Sequence, residues 1–175
     1  MLTTRRAAYG PTPPTPGPLD TFNVSTPLFA AAQTVNLTSA FAAMRESLAS
    51  FASLSGPKTF LFTGNALNQG VLPGFLTLGT GKAGAAWMVE CADSVFGAGG
   101  DGDARFFYVD ERHDDGTPMF TGLGGQGHAE AFLGLTKRRE GWRNVGWLVT
   151  FVSGDEGGET RYKEFRRGLI LPEGM

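Results

Sequence analysis

The sequence predicts an α/β fold in which a parallel sheet is flanked by helices. Short, uniformly apolar runs alternate along the chain with longer stretches of helical periodicity. Such runs are typical of strands that are buried on both faces, and their alternation with helices is typical of crossovers between parallel strands. Glycine accounts for 26 of the 175 residues, about twice its usual share, which suits a fold with many tight turns.

The bulk composition excludes several classes of protein. The length suits one domain, and the net charge of −2 provides no basic field for nucleic acid. No apolar run reaches the roughly 20 residues of a membrane span, and the N-terminus lacks the apolar stretch of a secretory signal. The single cysteine, Cys91, allows no disulfide within the chain. We therefore predict a cytoplasmic protein that binds neither nucleic acid nor a membrane.

Composition divides the chain into three segments. Residues 1–26 form a proline-rich N-terminal segment, residues 27–152 hold the alternating helices and strands, and residues 153–175 form a polar tail. Residues 9–20 could serve as a PxxP ligand for a recognition domain. We favour a rigid surface loop for them.

The first predicted helix runs from Ser25 to about Leu54. Ser25 is a suitable N-cap, Pro27 fits the first turn, and Gly56-Pro57 ends the helix. The apolar residues 59–63 follow as a buried parallel strand.

The second predicted helix spans about residues 75–96 and is unusually slim. Between Gly79 and Ala86 it consists mostly of glycine and alanine. Each glycine costs about 1 kcal/mol relative to alanine, so something must pack closely against this section. Strands over 105–109 and 147–152, with a helix over 127–139 between them, complete the order. We expect both crossovers to be right-handed.

Three short stretches carry a family resemblance. Thr63-Gly64-Asn65 follows the first strand, Asn36 lies in the VNLTSAF stretch of the first helix, and Lys82 lies in the slim helix. In this order and spacing they resemble the C-terminal part of a short-chain dehydrogenase/reductase, of a fungal-type subgroup with a TGN motif. The resemblance extends from about Ala7 to Phe165. It implies an incomplete NAD(P)-binding Rossmann-like domain.

The resemblance also implies roles for individual residues. In this family a tyrosine transfers a proton to or from the substrate oxygen, a lysine lowers the pKa of that tyrosine and holds the cofactor ribose, a serine polarises the carbonyl, and an asparagine supports a proton-relay water. Asn36 and Lys82 match the family, and both would serve the cofactor side of the site. Leu78 stands at the tyrosine position and cannot transfer a proton. Asn65 stands roughly at the serine position, where it can still donate a hydrogen bond to a carbonyl.

Simpler interpretations of two of these residues stay open. Lys82 could be a partly exposed helix lysine, and Asn36 could be a buried asparagine bonded to the helix backbone. Residues 108–112, with the sequence YVDER, follow the second strand where ordinary members of the family have Pro-Gly.

The resemblance implies NAD or NADP as the cofactor. The TGxxxGxG loop that would hold the pyrophosphate, and the residue that selects between the two dinucleotides, precede the part of the family pattern that this chain matches. We therefore expect the chain in this truncated form to bind a dinucleotide weakly, if at all, and to be inactive. The alternative function is a non-catalytic module that forms homo-oligomers through the helix containing Gly79 and Ala86, as the equivalent helix does in the family.

Three further patterns predict chemistry less well. Residues 122–127 satisfy GxGxxG, with Asp155 beyond a later strand, but the residues before them make a poor strand. His113 and its acidic neighbours lie in one turn without a second histidine, so we expect no metal site there. Cys91 lies in an apolar helical pattern, and we expect it in the core.

Overall fold

The computed structural model describes residues 22–97, 104–119, 121–154 and 159–165. The proline-rich residues 9–20, the start of the family match at Ala7 and the acidic candidate Asp155 lie outside these ranges.

The helices and strands predicted between residues 25 and 152 are all present, with ends shifted by no more than three residues. In chain order the elements are α1 (Thr26–Gln33), a π-helical turn (Thr34–Thr38), α2 (Ser39–Phe51), β1 (Lys58–Thr63), a 3₁₀ turn (Ala66–Asn68), α3 (Leu76–Phe96), β2 (Ala104–Glu111), α4 (Gly125–Thr136), β3 (Leu148–Val152) and β4 (Arg161–Tyr162).

The strands form a four-stranded sheet in the order β1-β2-β3-β4. The first three strands are parallel, with Thr63 opposite Val109 and Val109 opposite Val149. The predicted parallel sheet with flanking helices is therefore confirmed. β4, which belongs to the segment predicted as a polar tail, adds an antiparallel edge by pairing Phe151 with Tyr162.

Helices cover both faces of the sheet. One face of β2, represented by Phe106 and Tyr108, packs against α2 and α3. The other face, represented by Val109, packs against α4. Both crossovers, β1-α3-β2 and β2-α4-β3, move to the next strand in the same direction across the sheet. Because α3 and α4 lie on opposite faces, the two crossovers have opposite hands. The expectation that both are right-handed is wrong.

The slim section of α3 is covered by the chain itself. A Cβ added to Gly81 would lie 2.6 Å from the Cβ of Asn36, and one added to Gly84 would lie 2.9 Å from Leu37 Cδ1. These glycines let α3 approach the π-helical turn closely. The close contact that the sequence required is therefore made between α3 and the first helical segment.

β1 forms one edge of the sheet, because in the described part of the chain it pairs with β2 alone. The Gly64 amide donates to Val109 O. Since alternate peptides of a strand face opposite sides, the amides of Thr59, Leu61 and Thr63 face away from β2. Unpaired strand edges of this kind promote association with another chain.

We expect the purified 175-residue chain to self-associate through this edge. Thr59→Pro would remove an outward amide and should raise the dissociation constant, whereas Thr59→Val keeps that amide and serves as the control. Sedimentation velocity over a range of concentrations measures the change. A monodisperse wild-type monomer with cooperative unfolding would contradict the expectation.

Candidate functional site

The site begins at the C-terminal end of β1, where a backbone carbonyl faces away from the sheet. Thr63 O accepts a hydrogen bond of 2.9 Å from Lys82 Nζ. The ammonium also lies 4.9 Å from the centre of the Phe62 ring. Helix α3 therefore directs its single lysine to the end of the first strand.

Lys82 is buried, with 6% of its surface exposed. Desolvation lowers its pKa from 10.5 to about 8, and the negative charge of Asp110 opposes this shift. The interpretation of Lys82 as a partly exposed helix lysine is therefore wrong. Burying an ammonium costs stability, so its presence here needs a reason other than folding.

The Gly64-Asn65 turn is held by Tyr108 from the neighbouring strand. Tyr108 donates to Asn65 O at 2.9 Å, and the Asn65 amide donates to the Tyr108 hydroxyl at 3.0 Å. A Cβ on Gly64 would lie 1.9 Å from Tyr108 Cε1, so residue 64 must be glycine for the ring to fit. The Asn65 side-chain oxygen accepts from Leu67 N and caps the 3₁₀ turn. Its amide nitrogen is the group that could contact a substrate oxygen.

Asn36 lies in the π-helical turn and packs against Gly81 of α3. Gly81 is the residue before Lys82. It is buried, and its Nδ2 donates to Ala32 O at 3.0 Å. This geometry fits the interpretation of Asn36 as an asparagine bonded to the helix backbone. Single π-turns occur frequently at functional sites, and no sequence pattern predicted this one.

Leu78 lies one turn before Lys82 on α3 and is buried. No described residue takes over the role of the tyrosine that the family has at this position. Tyr108 is a phenol at the end of the neighbouring strand; burial raises its pKa well above the usual value, while the hydrogen bond to Asn65 opposes the shift. Because that hydroxyl is fully buried and bonded to backbone, it is a structural group.

Charged side chains fill the C-terminal end of β2. Asp110 accepts from Arg112 Nε at 2.6 Å, and both residues are buried. Desolvation raises the pKa of Asp110 to about 6, with Arg112 and then Lys82 opposing the rise. On the opposite face, Glu111 accepts from the Ser153 hydroxyl and lies 3.4 Å from His128 Nδ1. Neither cluster was predicted from the sequence; the available signal was the charged run 110–112 directly after the apolar strand pattern.

The other candidate residues lie apart from this site. Cys91 is exposed, so the prediction that it belongs to the core is wrong. The reason is that α3 has an uncovered apolar face. The glycine-rich residues 122–127 enter α4 well after β2 has ended at Glu111, so no strand leads into them. Gly127 packs on Ser153.

The acidic turn around His113 has a structural use. Asp114 forms ion pairs with Arg161 and Lys163, which tie the turn to β4. Within the described residues, no group of three or more His, Cys, Asp or Glu side chains is arranged to hold a metal. No helix in the same ranges is long and apolar enough to cross a bilayer.

A comparison with curated proteins finds a similar sequence, the short chain dehydrogenase/reductase dmxR12 of Cryptosporiopsis sp. (strain 8999). The two are 38% identical over 137 residues, which cover 77% of this chain and 53% of that protein. This chain is homologous to the C-terminal part of a short-chain dehydrogenase/reductase. It spans about half the length of this curated relative. No protein-family profile matches the chain, and no solved structure matches it.

The homology confirms the family resemblance of the chain as a whole, and it makes the sheet part of a Rossmann-like fold. The described residues fit a dinucleotide incompletely. Lys82 is a suitable hydrogen-bond donor for a ribose, but its ammonium is bonded to Thr63 O and Asn36 is bonded to its own helix. These residues do not by themselves form a cofactor site.

Proposed function

We propose that the chain is an oxidoreductase-like member of the short-chain dehydrogenase/reductase family that is not catalytically competent as the 175-residue polypeptide. The observation that carries this proposal is the pair Lys82 and Leu78 on one face of α3. A buried lysine is directed to the end of β1, where the family places its catalytic lysine, and a leucine stands where the family places its tyrosine. By the same resemblance, the cofactor class would be NAD or NADP.

The roles follow from the chemistry of each group. The Lys82 ammonium would hold a ribose hydroxyl and supply positive charge. The side-chain amide of Asn65 would donate a hydrogen bond to the carbonyl oxygen of a substrate. Asn36 packs against Gly81, the residue before Lys82, and by the family resemblance would support a proton-relay water. A group that gives or takes a proton at the substrate oxygen is missing, because Leu78 has no titratable atom. The exposed thiol of Cys91 fits a reducing, cytoplasmic compartment.

We expect no measurable carbonyl reduction by the purified chain with NADH or NADPH. General acid-base assistance is typically worth about 10²–10⁴-fold, and the chain sequence contains no TGxxxGxG loop to position a dinucleotide. Absorbance at the nicotinamide band, followed with a panel of ketones and aldehydes, measures the rate.

The Leu78→Tyr variant separates the two causes. We expect it to be inactive as well, because the tyrosine alone restores no phosphate-binding loop. Turnover by the wild-type chain would refute the proposal. Turnover by Leu78→Tyr alone would show that the cofactor binds and that the tyrosine is the missing part.

The second candidate function is a non-catalytic module that forms homo-oligomers, and the outer surface of α2 and α3 favours it. Trp87 is 70% exposed, Val95 is 64% exposed and Phe41 is 53% exposed. A groove of about 260 Å³ between the two helices is lined by apolar side chains that include Leu48 and Met88. An apolar surface of this kind is typical of a protein contact. This apolar surface continues the face of α3 that includes the exposed Ala83. It does not include the face with Gly81 and Gly84, which Asn36 and Leu37 cover.

We expect Trp87→Glu to weaken self-association measurably, because it places a charge on this exposed apolar surface. Leu133→Glu is the matched control, since Leu133 is an exposed apolar residue of α4 on the other side of the sheet. Size-exclusion chromatography with light scattering gives the mass of each variant. If both variants keep the mass of the wild-type protein, the α2–α3 surface is not the interface.

A further inference from the structure

Two adjacent carboxylates at the end of β2 lie on opposite faces of the sheet. Because side chains alternate along a strand, Asp110 shares the face of Tyr108, which packs against α3. Glu111 shares the face of Val109, which packs against α4. Lys82 belongs to α3 and therefore lies on the side of Asp110.

The register of the sheet places Asp110 one strand away from the Lys82 ammonium. Lys82 Nζ is bonded to Thr63 O, and Thr63 is paired with Val109. Asp110 is the next residue along β2. The ammonium and the carboxylate therefore lie at the same end of two hydrogen-bonded strands.

The segments around Lys82 offer no other carboxylate. Residues 22–44 and residues 59–81, which include α1, the π-helical turn, β1 apart from its first residue Lys58, and the loop after β1, contain no Asp, Glu, His, Lys or Arg. On α3 itself, the next charged residue is Glu90, about 12 Å further along the axis. Across the sheet, Glu111 and His128 face each other on the α4 side.

β2 and the residue that follows it contribute two further groups on the Lys82 side, and neither can balance an ammonium. The Tyr108 hydroxyl is bonded to the backbone of Asn65. Arg112 has the same sign of charge as Lys82. It is 1% exposed, and it fixes Asp110 through its Nε while its Nη1 donates to Gly116 O at 3.0 Å.

We propose that Asp110 is a positioning residue for Lys82: its carboxylate, fixed by Arg112, keeps the buried Lys82 ammonium charged and directed at the end of β1. This inference rests on the proposed function, which gives Lys82 the cofactor-holding role. The mutual influence of the two charges supports it, since Asp110 raises the pKa of Lys82 against the effect of burial and Lys82 lowers that of Asp110.

The test is an NMR titration of the full 175-residue chain labelled with ¹³C at the lysine Cε. The chain has four lysines, and the Lys82→Arg variant assigns the Lys82 signal. We expect Asp110→Asn to lower the titration midpoint of Lys82 by about one pH unit or more, because an opposite charge at close range is worth that much. Asp110→Glu should restore part of the shift.

Glu111→Gln is the matched control, because it removes an adjacent buried carboxylate on the other face of the same strand. We expect it to leave the Lys82 midpoint unchanged. An unchanged midpoint in Asp110→Asn, or an equal shift in Glu111→Gln, would overturn the proposal.

The reciprocal measurement does not require Asp110→Asn to fold. Coupling between two sites is symmetric, so Lys82→Met must raise the midpoint of Asp110 by the amount that Asp110→Asn lowers that of Lys82. A ¹³C titration of the aspartate carboxyls in Lys82→Met gives this value, and an unchanged Asp110 would also overturn the proposal. Neither titration uses cofactor or turnover, so its outcome is independent of the assay that tests the proposed function.

Discussion

Replacing Gly64 by alanine is expected to lower the free energy of unfolding by about 3 kcal/mol. The new Cβ would lie 1.9 Å from Cε1 and 2.2 Å from Cζ of Tyr108. The ring cannot move aside easily, because Tyr108 is fully buried and its hydroxyl is bonded to both the amide and the carbonyl of Asn65. Urea denaturation followed by circular dichroism measures the loss.

Two controls sharpen this measurement. Gly79→Ala should stabilise the chain by about 1 kcal/mol, since its Cβ would find Leu67 at 3.9 Å and alanine favours a helix. In a Tyr108→Leu background, the Gly64→Ala change should cost less than it does in the wild type. Equal costs in the two backgrounds would show that the ring is not what requires glycine at this position.

The stability of the wild-type chain relative to Lys82→Met is expected to rise with pH between about 8 and 10.5. Burial lowers the pKa of Lys82 from 10.5 to about 8. Between these values the unfolded chain binds a proton that the folded chain has released, so raising the pH favours the folded state. Burial of the charged ammonium destabilises the folded state fully below pH 8, and this destabilisation vanishes above pH 10.5. Its full size is about 3 kcal/mol.

The comparison with the variant isolates this effect. Above pH 8, Tyr108 and the other groups that still titrate are common to both proteins, so their contributions cancel in the difference between the two stability curves. Thermal or urea unfolding at several pH values gives the curves. A difference that is flat from pH 7 to pH 10.5 would show that Lys82 titrates as an exposed lysine does.

Local patterns predicted the elements well, because their signals are contained within each segment. Ser25 and Pro27 mark the start of α1, and the apolar run before Gly64 marks β1. The family resemblance also named Lys82, and the structure bonds its ammonium to Thr63 O at the end of β1.

The parts that the sequence did not predict depend on contacts between distant segments. The role of Tyr108 is visible only when β2 lies beside the turn at Gly64. Asp110 was predicted to be a charged turn residue beyond the second strand, whereas it lies inside β2 beside Arg112; this contact forms only in the folded sheet. Cys91 was placed in the core because its helix looked apolar all round, whereas one face of that helix is uncovered in this chain.

The position of the Lys82 side chain is the central claim, and NMR of the chain labelled with ¹³C at lysine and phenylalanine tests it most directly. With the ammonium 4.9 Å from the Phe62 ring, we expect nuclear Overhauser contacts between the Lys82 ε-protons and that ring, and an upfield shift of those protons. Lys58, at the other end of β1, serves as the reference. Lys82 ε-protons at the shift of an exposed lysine, without contact to Phe62, would contradict the account.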